Sequence, residues 1–520
     1  MTGREPLLTW LGRLASIAFA MAGALALFVF MRFVHDGLSG QGRFSTWPAI
    51  VTHYLLPAGT AIVLFASLKL QPIPKLRLLL ACVAATASVY TVELFLVASA
   101  DSQLTFVPSL DDQIGLRPAM ARLATSRNKS KYAAELARQF GSPVDIRTPQ
   151  QVIADFRNNG VDAVPIVTAS NHLLASQSDG SVRSIINVDS REVIPLGSVA
   201  SRVTLLCNEN GVWVQYLSDS RGFNNPDKIW QAVHVDVAAL GDSFTQGYCV
   251  PGGKSFVDLI RQSRDATVNL GMAGDGPLMT LATLTEYLPR LSPNVVLWFY
   301  YEGNDLIDLQ TERRSALLRN YLKPDFAQRD LARQTDIDRA ILAEMPRLSA
   351  IQESNVRSFE SNSVIHGVVS FVKLAAIRAR LTLVDDDPSS IALAADFEQP
   401  NMAAFREILS LAKSRVEGWN GQLLFVYLPE WARYTSYSSW GKAKRGEVLE
   451  LVRSMGISII DIDPVFQAHG DPLSLFPFRG SGHYTEAGHR LVAEEVLRRV
   501  PSVARAERRE PYASHLASER

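Results

Sequence analysis

The sequence has no surplus of charge of either sign, because its 520 residues carry 52 Lys and Arg against 52 Asp and Glu. It also lacks a cluster of Lys and Arg, which a nucleic-acid-binding surface needs for its phosphate contacts. Charged residues make up only 20% of the chain and hydrophobic residues 47%. A chain this apolar does not remain disordered as a whole. We therefore expect a folded protein of several structural units that does not bind nucleic acid.

Cysteine is scarce, since the chain contains only Cys82, Cys207 and Cys249. No Cys-x-x-Cys motif and no Cys/His cluster with zinc spacing occurs, so the sequence indicates neither a metal nor another cofactor. Cys207 and Cys249 are compatible with a disulfide in an oxidising compartment, where the bond would close a loop of about 40 residues. Two buried free thiols are the alternative.

Long apolar stretches are concentrated in the first hundred residues. They run from Leu14 to Met31, from Ala49 to Leu68, and from Leu78 to Ala100, the last with a single charge at Glu93. Each approaches the roughly 20 residues that a helix needs to cross a bilayer. A cleaved signal peptide fits less well, because its apolar core is usually only about 7–15 residues long. Residues 1–100 are therefore predicted to form a membrane anchor of three transmembrane helices.

The basic residues that flank these stretches predict the orientation of the anchor. More of them lie before the first stretch and between the second and third than on the opposite side, and Lys and Arg are retained in the cytoplasm. The N-terminus is therefore expected to be cytoplasmic. With three spans, everything after about residue 100 is then extracytoplasmic, in the periplasm if the chain spans the inner membrane of a Gram-negative cell.

Residues 101–232 are predicted to form a small α+β domain that precedes the main one. Between Val203 and Tyr216, two β-rich runs flank Asn208-Glu209-Asn210-Gly211. The Asn-Gly pair is typical of a tight turn between two antiparallel strands, so a β-hairpin is expected here. The last residues, 501–520, have the composition of a polar tail.

From 233 to 500, short apolar runs alternate with helical periodicity. The runs are Val235–Leu240, Val268–Leu270, Val295–Tyr300, Leu423–Leu428 and Ile457–Ile462. This order predicts an α/β fold with a doubly wound, parallel, five-stranded sheet, and residues 306–400 are predicted to form a helical insertion. Ligands of such sheets bind at the carboxyl ends of the strands, so the loops there are where we expect the chemistry.

Several of these loops, or the segments after them, carry residues suited to acyl transfer. They contain Gly241-Asp242-Ser243, then Gly274, then Gly303-Asn304-Asp305, and finally His483 before the last predicted helix. In this order the residues resemble the SGNH (GDSL-like) hydrolase superfamily, and the resemblance covers residues 233–500. It implies that Ser243 is the nucleophile and His483 its general base. It also implies an oxyanion hole formed by the backbone N–H groups of Ser243 and Gly274 with the side-chain amide of Asn304.

One position departs from the family pattern. The family usually has an aspartate three residues before the histidine, and this sequence has Gly480 there. That aspartate normally orients the imidazole. A backbone carbonyl near Gly480 can replace it, or an acid elsewhere can, and Asp471 is the nearest one. The remaining interpretation is that the site no longer catalyses a reaction.

The sequence therefore favours a membrane-anchored SGNH-type esterase or O-acyltransferase. Its expected substrates are acyl esters, mainly acetyl, of an extracytoplasmic polysaccharide, with an acyl group carried on Ser243. A transferase would require an acyl donor from across the membrane, and hence a membrane acyltransferase as a partner. The alternative is a non-catalytic SGNH-fold scaffold, or a polysaccharide-binding component of an export or modification complex.

Overall fold

The computed structural model describes residues 4–38, 50–100, 137–138, 141, 143–351, 388–435 and 440–500. The chain divides into two compact units. The first comprises Met1–Ile146, Ala343–Ala404 and Ser436–Lys444, and the second comprises Arg147–Leu342, Phe405–Thr435 and Arg445–Arg520. The predicted polar tail and residues 101–136 of the predicted α+β domain lie outside the described residues.

The first unit contains the apolar helices of the predicted membrane anchor. The helices are Arg4–Leu38, Leu56–Ser67 and Pro72–Ala100. Within the described part of the chain, two helical stretches are long and apolar enough to cross a membrane, Leu8–His35 and Pro72–Phe95. Three transmembrane helices are therefore not confirmed.

The second predicted span is interrupted near its start. Its first part, Val51–Leu55, is a π-helical turn, and the α-helix that follows, Leu56–Ser67, has only 12 residues. Pro57 lies in the first turn of that helix. Because proline lacks a backbone N–H group, the regular hydrogen-bond ladder cannot continue through it, and the local winding changes.

The second unit begins with a small α+β region that carries the predicted hairpin. The helix Pro149–Asn158 starts at Thr148, whose side chain accepts a hydrogen bond from the backbone N–H of Gln151. The strands that follow are short: β1 (Ala163–Pro165), β2 (Leu174–Ser176), β3 (Val182–Ser184), β4 (Asn187–Val188), β5 (Arg191–Glu192), β6 (Val203–Leu205) and β7 (Gln215–Leu217). β6 pairs antiparallel with β7, which confirms the hairpin. Gly211 turns its tip with a φ of +85°.

The main sheet contains the five predicted strands. They are β8 (Val237–Leu240), β9 (Thr267–Asn269), β10 (Val295–Tyr301), β11 (Gln422–Leu428) and β12 (Ser458–Asp461). All neighbours are parallel, in the order β12-β11-β10-β8-β9. Every residue of β8 and β10 is buried, as expected for strands covered on both faces. The predicted α/β fold with a parallel five-stranded sheet is confirmed.

Helices connect these strands and supply the other layers of the domain. They are Ser243–Gln246, Phe256–Ser263, Pro277–Leu291, Asp305–Glu312, Ala316–Arg319, Pro388–Gly418, Trp440–Ser454, Asp463–Gln467 and Glu486–Arg499. Residues 334–351 are also helical. The predicted insertion between β10 and β11 is therefore largely helical where it is described, and its residues 352–387 lie outside the described part.

Candidate active site

Ser243 lies directly beyond the carboxyl end of β8, at the start of the helix Ser243–Gln246. Asp242 caps this helix, because its Oδ1 accepts a hydrogen bond from the backbone N–H of Phe244. Gly241 makes the sharp exit from the strand, and a Cβ atom there would lie 2.8 Å from the carbonyl oxygen of Phe299. Only glycine fits at this position. The strand therefore delivers Ser243 to the carboxyl edge of the sheet, as the sequence predicts.

His483 reaches Ser243 from the loop before the last helix. Its Nε2 lies 2.7 Å from Oγ of Ser243. The imidazole contacts the rings of Phe244 and Tyr248, with centroid distances of 4.6 and 4.8 Å. Both Ser243 and His483 are buried. The structure therefore brings the two predicted residues into the contact in which a histidine can take the proton of a serine.

A third residue, Glu209, contacts the other side of the imidazole. One of its carboxylate oxygens lies 2.9 Å from Nδ1 of His483 and also accepts a hydrogen bond from the backbone N–H of His483, at 2.9 Å. Glu209 is at the tip of the β6–β7 hairpin. A carboxylate in this position fixes the ring with its proton on Nδ1, which leaves Nε2 free to act as a base.

The structure therefore corrects the prediction that Asp471 is the orienting acid. The carboxylate of Asp471 forms an ion pair with Arg479 on the surface, where both side chains are about half exposed. The hydrogen bond from Arg479 lowers the pKa of Asp471. Glu209 takes the place beside the imidazole, and neither Asp471 nor a carbonyl near Gly480 is needed there.

A disulfide between Cys207 and Cys249 ties the hairpin to the segment that follows Ser243. The two Cα atoms are 5.4 Å apart. A hydrogen bond supports the same link, because Nδ2 of Asn210 donates to the carbonyl oxygen of Cys249 at 2.7 Å. Of the two alternatives left open by the sequence, the structure contains the disulfide. Cys207 is two residues before Glu209, so the disulfide holds the hairpin tip near Ser243, but the sequence pattern assigned Glu209 no role.

The three predicted oxyanion-hole residues follow three neighbouring strands. Ser243 comes after β8, Gly274 after β9 and Asn304 after β10, and β8 pairs with both of the others. Because the strands are parallel, these residues lie at the same edge of the sheet. Oδ1 of Asn304 is buried and has no hydrogen-bond partner among the described residues. Three donors at one edge could serve a single developing negative charge, and the oxyanion hole stays a prediction.

Gly274 lies in a turn that contacts the small α+β region at the start of the second unit. Its φ is +84°, and a Cβ atom there would lie 2.6–2.9 Å from the side-chain amide of Asn171. That amide donates from Nδ2 to the carbonyl oxygen of Ala273 at 3.2 Å, and Oγ of Ser170 donates to Oδ1 of Asp275 at 3.2 Å. Residues 170 and 171 therefore clamp the turn that carries the predicted oxyanion donor.

Buried acidic side chains lie in and beside this turn. Glu312 accepts hydrogen bonds from the backbone N–H groups of Gly276 and Leu278, at 2.7 and 2.9 Å. Burial raises the pKa of Glu312 to about 7. Burial also raises the pKa values of Asp275 and Asp305 well above the usual range, and nearby carboxylates add to the effect. These groups lie in and beside the loops after β9 and β10, where burial disfavours their ionised forms.

The loop after β11 supports the loop that carries His483. The indole Nε1 of Trp431 donates to the carbonyl oxygen of Arg479 at 2.9 Å, and the hydroxyl of Tyr484 donates to the carbonyl oxygen of Pro429 at 2.6 Å. Arg433 forms an ion pair with the buried Glu302. The first two contacts tie the loop after β11 to the segment from Arg479 to Tyr484, which contains His483.

The fold and these contacts define an α/β domain with a serine–histidine pair at the carboxyl edge of its sheet. Residues 239–491 match the model of the GDSL-like Lipase/Acylhydrolase family. Residues 239–491 therefore form a GDSL-like, or SGNH, hydrolase domain. Glu209 lies outside the matched stretch, which explains why the family pattern alone does not find it.

Solved structures of this type resemble the chain over about half of its length. A lipolytic G-D-S-L family protein from Desulfitobacterium hafniense is 15% identical, with 51% of this chain and 99% of that chain covered and a TM-score of 0.28. A G-D-S-L family protein from Veillonella parvula is 13% identical, with 51% and 98% covered and a TM-score of 0.27. An acetyl xylan esterase is 11% identical, with 51% and 100% covered and a TM-score of 0.28. No curated protein matches the sequence.

Proposed function

We propose that the chain is a serine esterase or O-acyltransferase whose catalytic residues are Ser243 and His483, with Glu209 as the residue that positions His483. The observation that carries the proposal is the unbroken series of contacts from Oγ of Ser243 to Nε2 of His483, and from Nδ1 to the carboxylate of Glu209. The match of residues 239–491 to an acylhydrolase family supports the reaction class.

The geometry suits a two-step acyl transfer. Oγ of Ser243 attacks the ester carbonyl while His483 takes its proton, and the negative charge that forms on the carbonyl oxygen is met by the N–H groups of Ser243 and Gly274 and the amide of Asn304. His483 then protonates the departing alcohol, and the acyl group stays on Ser243. Water or another alcohol, activated by His483, releases that acyl group.

Water as the second reactant gives an esterase, and a sugar hydroxyl gives an O-acyltransferase. We propose an acetylated polysaccharide outside the cytoplasm as the substrate. Two features support this location: the apolar helices near the N-terminus, and the Cys207–Cys249 disulfide, which is typical of an oxidising compartment. The proposed topology is an inner-membrane protein with a cytoplasmic N-terminus. If the chain transfers acyl groups, a membrane acyltransferase is the proposed donor partner.

The non-catalytic alternative loses its main support. It depended on Gly480, which leaves His483 without the usual aspartate. Because Glu209 contacts Nδ1 of His483, the orienting group is present.

A product assay tests the proposal and separates the two reactions. The purified full chain in detergent would be incubated with p-nitrophenyl acetate, with and without an unacetylated oligosaccharide. We expect release of p-nitrophenol that disappears in Ser243→Ala and persists in Ser263→Ala, an exposed serine at the end of another helix. Mass spectrometry of the oligosaccharide then reports transfer, and free acetate reports hydrolysis. Equal activity of the wild type and Ser243→Ala would contradict the proposal.

A further inference from the structure

The sulfur of Cys249 lies close to the imidazole of His483 and the carboxylate of Glu209. The three groups are close enough to bind one metal ion together. A carboxylate oxygen of Glu209, Sγ of Cys249 and a ring nitrogen of His483 all lie within 4.8 Å of one another, and all three residues are buried. Thiolate, imidazole and carboxylate are the donors that Zn²⁺ uses in proteins. The second sulfur, from Cys207, is bonded to the first.

In the oxidised protein, this group is not a zinc site. A sulfur atom in a disulfide is not a thiolate, and the thiolate is the form that binds metal. Reduction changes the donor set, because it leaves two thiols on backbones whose Cα atoms are 5.4 Å apart. Cys249, Glu209 and His483 then offer three donors, and zinc sites with three protein ligands keep the fourth position for water.

We propose that reduction of the Cys207–Cys249 disulfide creates a Zn²⁺ site formed by Sγ of Cys249, the carboxylate of Glu209 and Nδ1 of His483. Nδ1 is the nitrogen concerned because it faces Glu209, whereas Nε2 contacts Ser243. In the laboratory the reductant is a phosphine, which takes an oxygen atom from water and becomes a phosphine oxide. The disulfide gains two electrons and two protons, and Zn²⁺ then displaces the thiol proton of Cys249.

Metal at this position would stop the proposed reaction, an effect that rests on the proposed function. A neutral imidazole carries one proton. When a metal occupies Nδ1, that proton must lie on Nε2. Nε2 then donates to Oγ of Ser243 and cannot accept its proton. The metal also takes the carboxylate of Glu209, so the orienting contact is lost at the same time.

Cobalt binding tests the site without any assay of activity. The full chain with Cys82→Ser, which removes the exposed free cysteine, would be reduced, freed of reductant without oxygen and titrated with Co²⁺. We expect one Co²⁺ per chain, with a sulfur-to-cobalt charge-transfer band in the near ultraviolet and the visible bands of tetrahedral cobalt. The unreduced protein and a Cys207→Ser/Cys249→Ser variant should show neither.

The outcome is decided by the spectrum, with circular dichroism as a check of the fold. Absence of the charge-transfer band in the folded, reduced chain would overturn the proposal, and so would a band that persists in the double-serine variant. Loss of the fold on reduction would also overturn it, because the site needs the hairpin in place.

The effect on catalysis is measured separately. If the chain hydrolyses p-nitrophenyl acetate, stoichiometric Zn²⁺ should lower the rate of the reduced enzyme about 10²–10⁴-fold, the usual contribution of a general base. A chelator should restore the rate, and the oxidised enzyme should not respond. Cobalt binding by a chain without esterase activity would refute the proposed function and leave the metal site standing. If the reduced enzyme binds Zn²⁺ and its rate does not change, the proposed inhibition by Zn²⁺ is wrong.

Discussion

The carboxylate of Glu209 lies 2.9 Å from Nδ1 of His483, although 274 positions separate the two residues in the sequence. The hairpin that carries Glu209 precedes the stretch that matches the acylhydrolase family, residues 239–491. The α+β region therefore supplies a group that the main domain lacks at Gly480. It also contacts the turn around Gly274 through Asn171. We infer that the two regions form the site together.

Replacement of Glu209 should impair catalysis more than substrate binding. In Glu209→Gln the side chain keeps its size but no longer holds the imidazole as an anion does, so we expect kcat to fall about 10²–10⁴-fold with KM little changed. Steady-state kinetics on p-nitrophenyl acetate checks this. Asp471→Asn is the matched control and should retain wild-type kcat. A loss of activity in Asp471→Asn with normal activity in Glu209→Gln would contradict the assignment.

An added methyl group at Gly274 should displace the predicted oxyanion donor. Gly274→Ala combines a φ of +84° with contacts of 2.6–2.9 Å to the amide of Asn171. We expect kcat to fall about 10²–10³-fold, as when one oxyanion-hole donor is lost. Gly180→Ala is the control, because its φ is +79° and no atom lies within 4 Å of the added carbon. Partial recovery in Gly274→Ala/Asn171→Gly would show that the collision is the cause, whereas normal kcat in Gly274→Ala would refute this role.

Loss of the disulfide should lower the free energy of unfolding. The bond joins residues 42 positions apart, and a loop of that length stabilises by about 4 kcal/mol in the chain-entropy model. Urea unfolding in detergent, followed by tryptophan fluorescence, should give lower midpoints for Cys207→Ser/Cys249→Ser and for the reduced wild type. Cys82→Ser should leave the midpoint unchanged. Equal midpoints for all four proteins would argue against a disulfide in the folded chain.

Stability should also depend on pH through Glu312. Its pKa is raised to about 7 in the folded protein, above the ordinary value of 4.5, so the folded state holds the proton more tightly than the unfolded state. The stability that this adds is present at low pH and disappears as the pH rises from about 4.5 to 7. A shift of this size corresponds to about 3 kcal/mol.

The measurement compares wild type with Glu312→Gln at several pH values. Burial lowers the pKa of His489 to about 3, so His489 contributes the opposite trend below about pH 6.5. The difference between the two proteins cancels that contribution. We expect the stability of the wild type relative to the variant to decline between pH 4.5 and 7 and to level off above. A difference independent of pH would show that Glu312 is ionised in the folded state.

The sequence predicted the parts of the fold that local patterns determine. Each strand of the main sheet is a short apolar run before a polar loop, and the Asn-Gly pair marks the β6–β7 turn. Ser243 and His483 were predicted because each is part of a short segment that resembles the family pattern. Glu209 was missed because its role depends on a contact across 274 positions, to which no local pattern points. The apolar stretch that begins at Ala49 was predicted as one span from its composition, and the α-helix within it, which has Pro57 in its first turn, is only 12 residues long.

The most direct test of the account is covalent labelling of the purified full chain with a fluorophosphonate, which reacts with an activated serine. We predict one label per chain, located on Ser243 by peptide mass spectrometry, and loss of labelling in Ser243→Ala and His483→Ala. Glu209→Gln should label much more slowly than Asp471→Asn. A folded wild-type chain that does not react, or a label that persists in Ser243→Ala, would contradict the claim that Ser243 is an activated nucleophile.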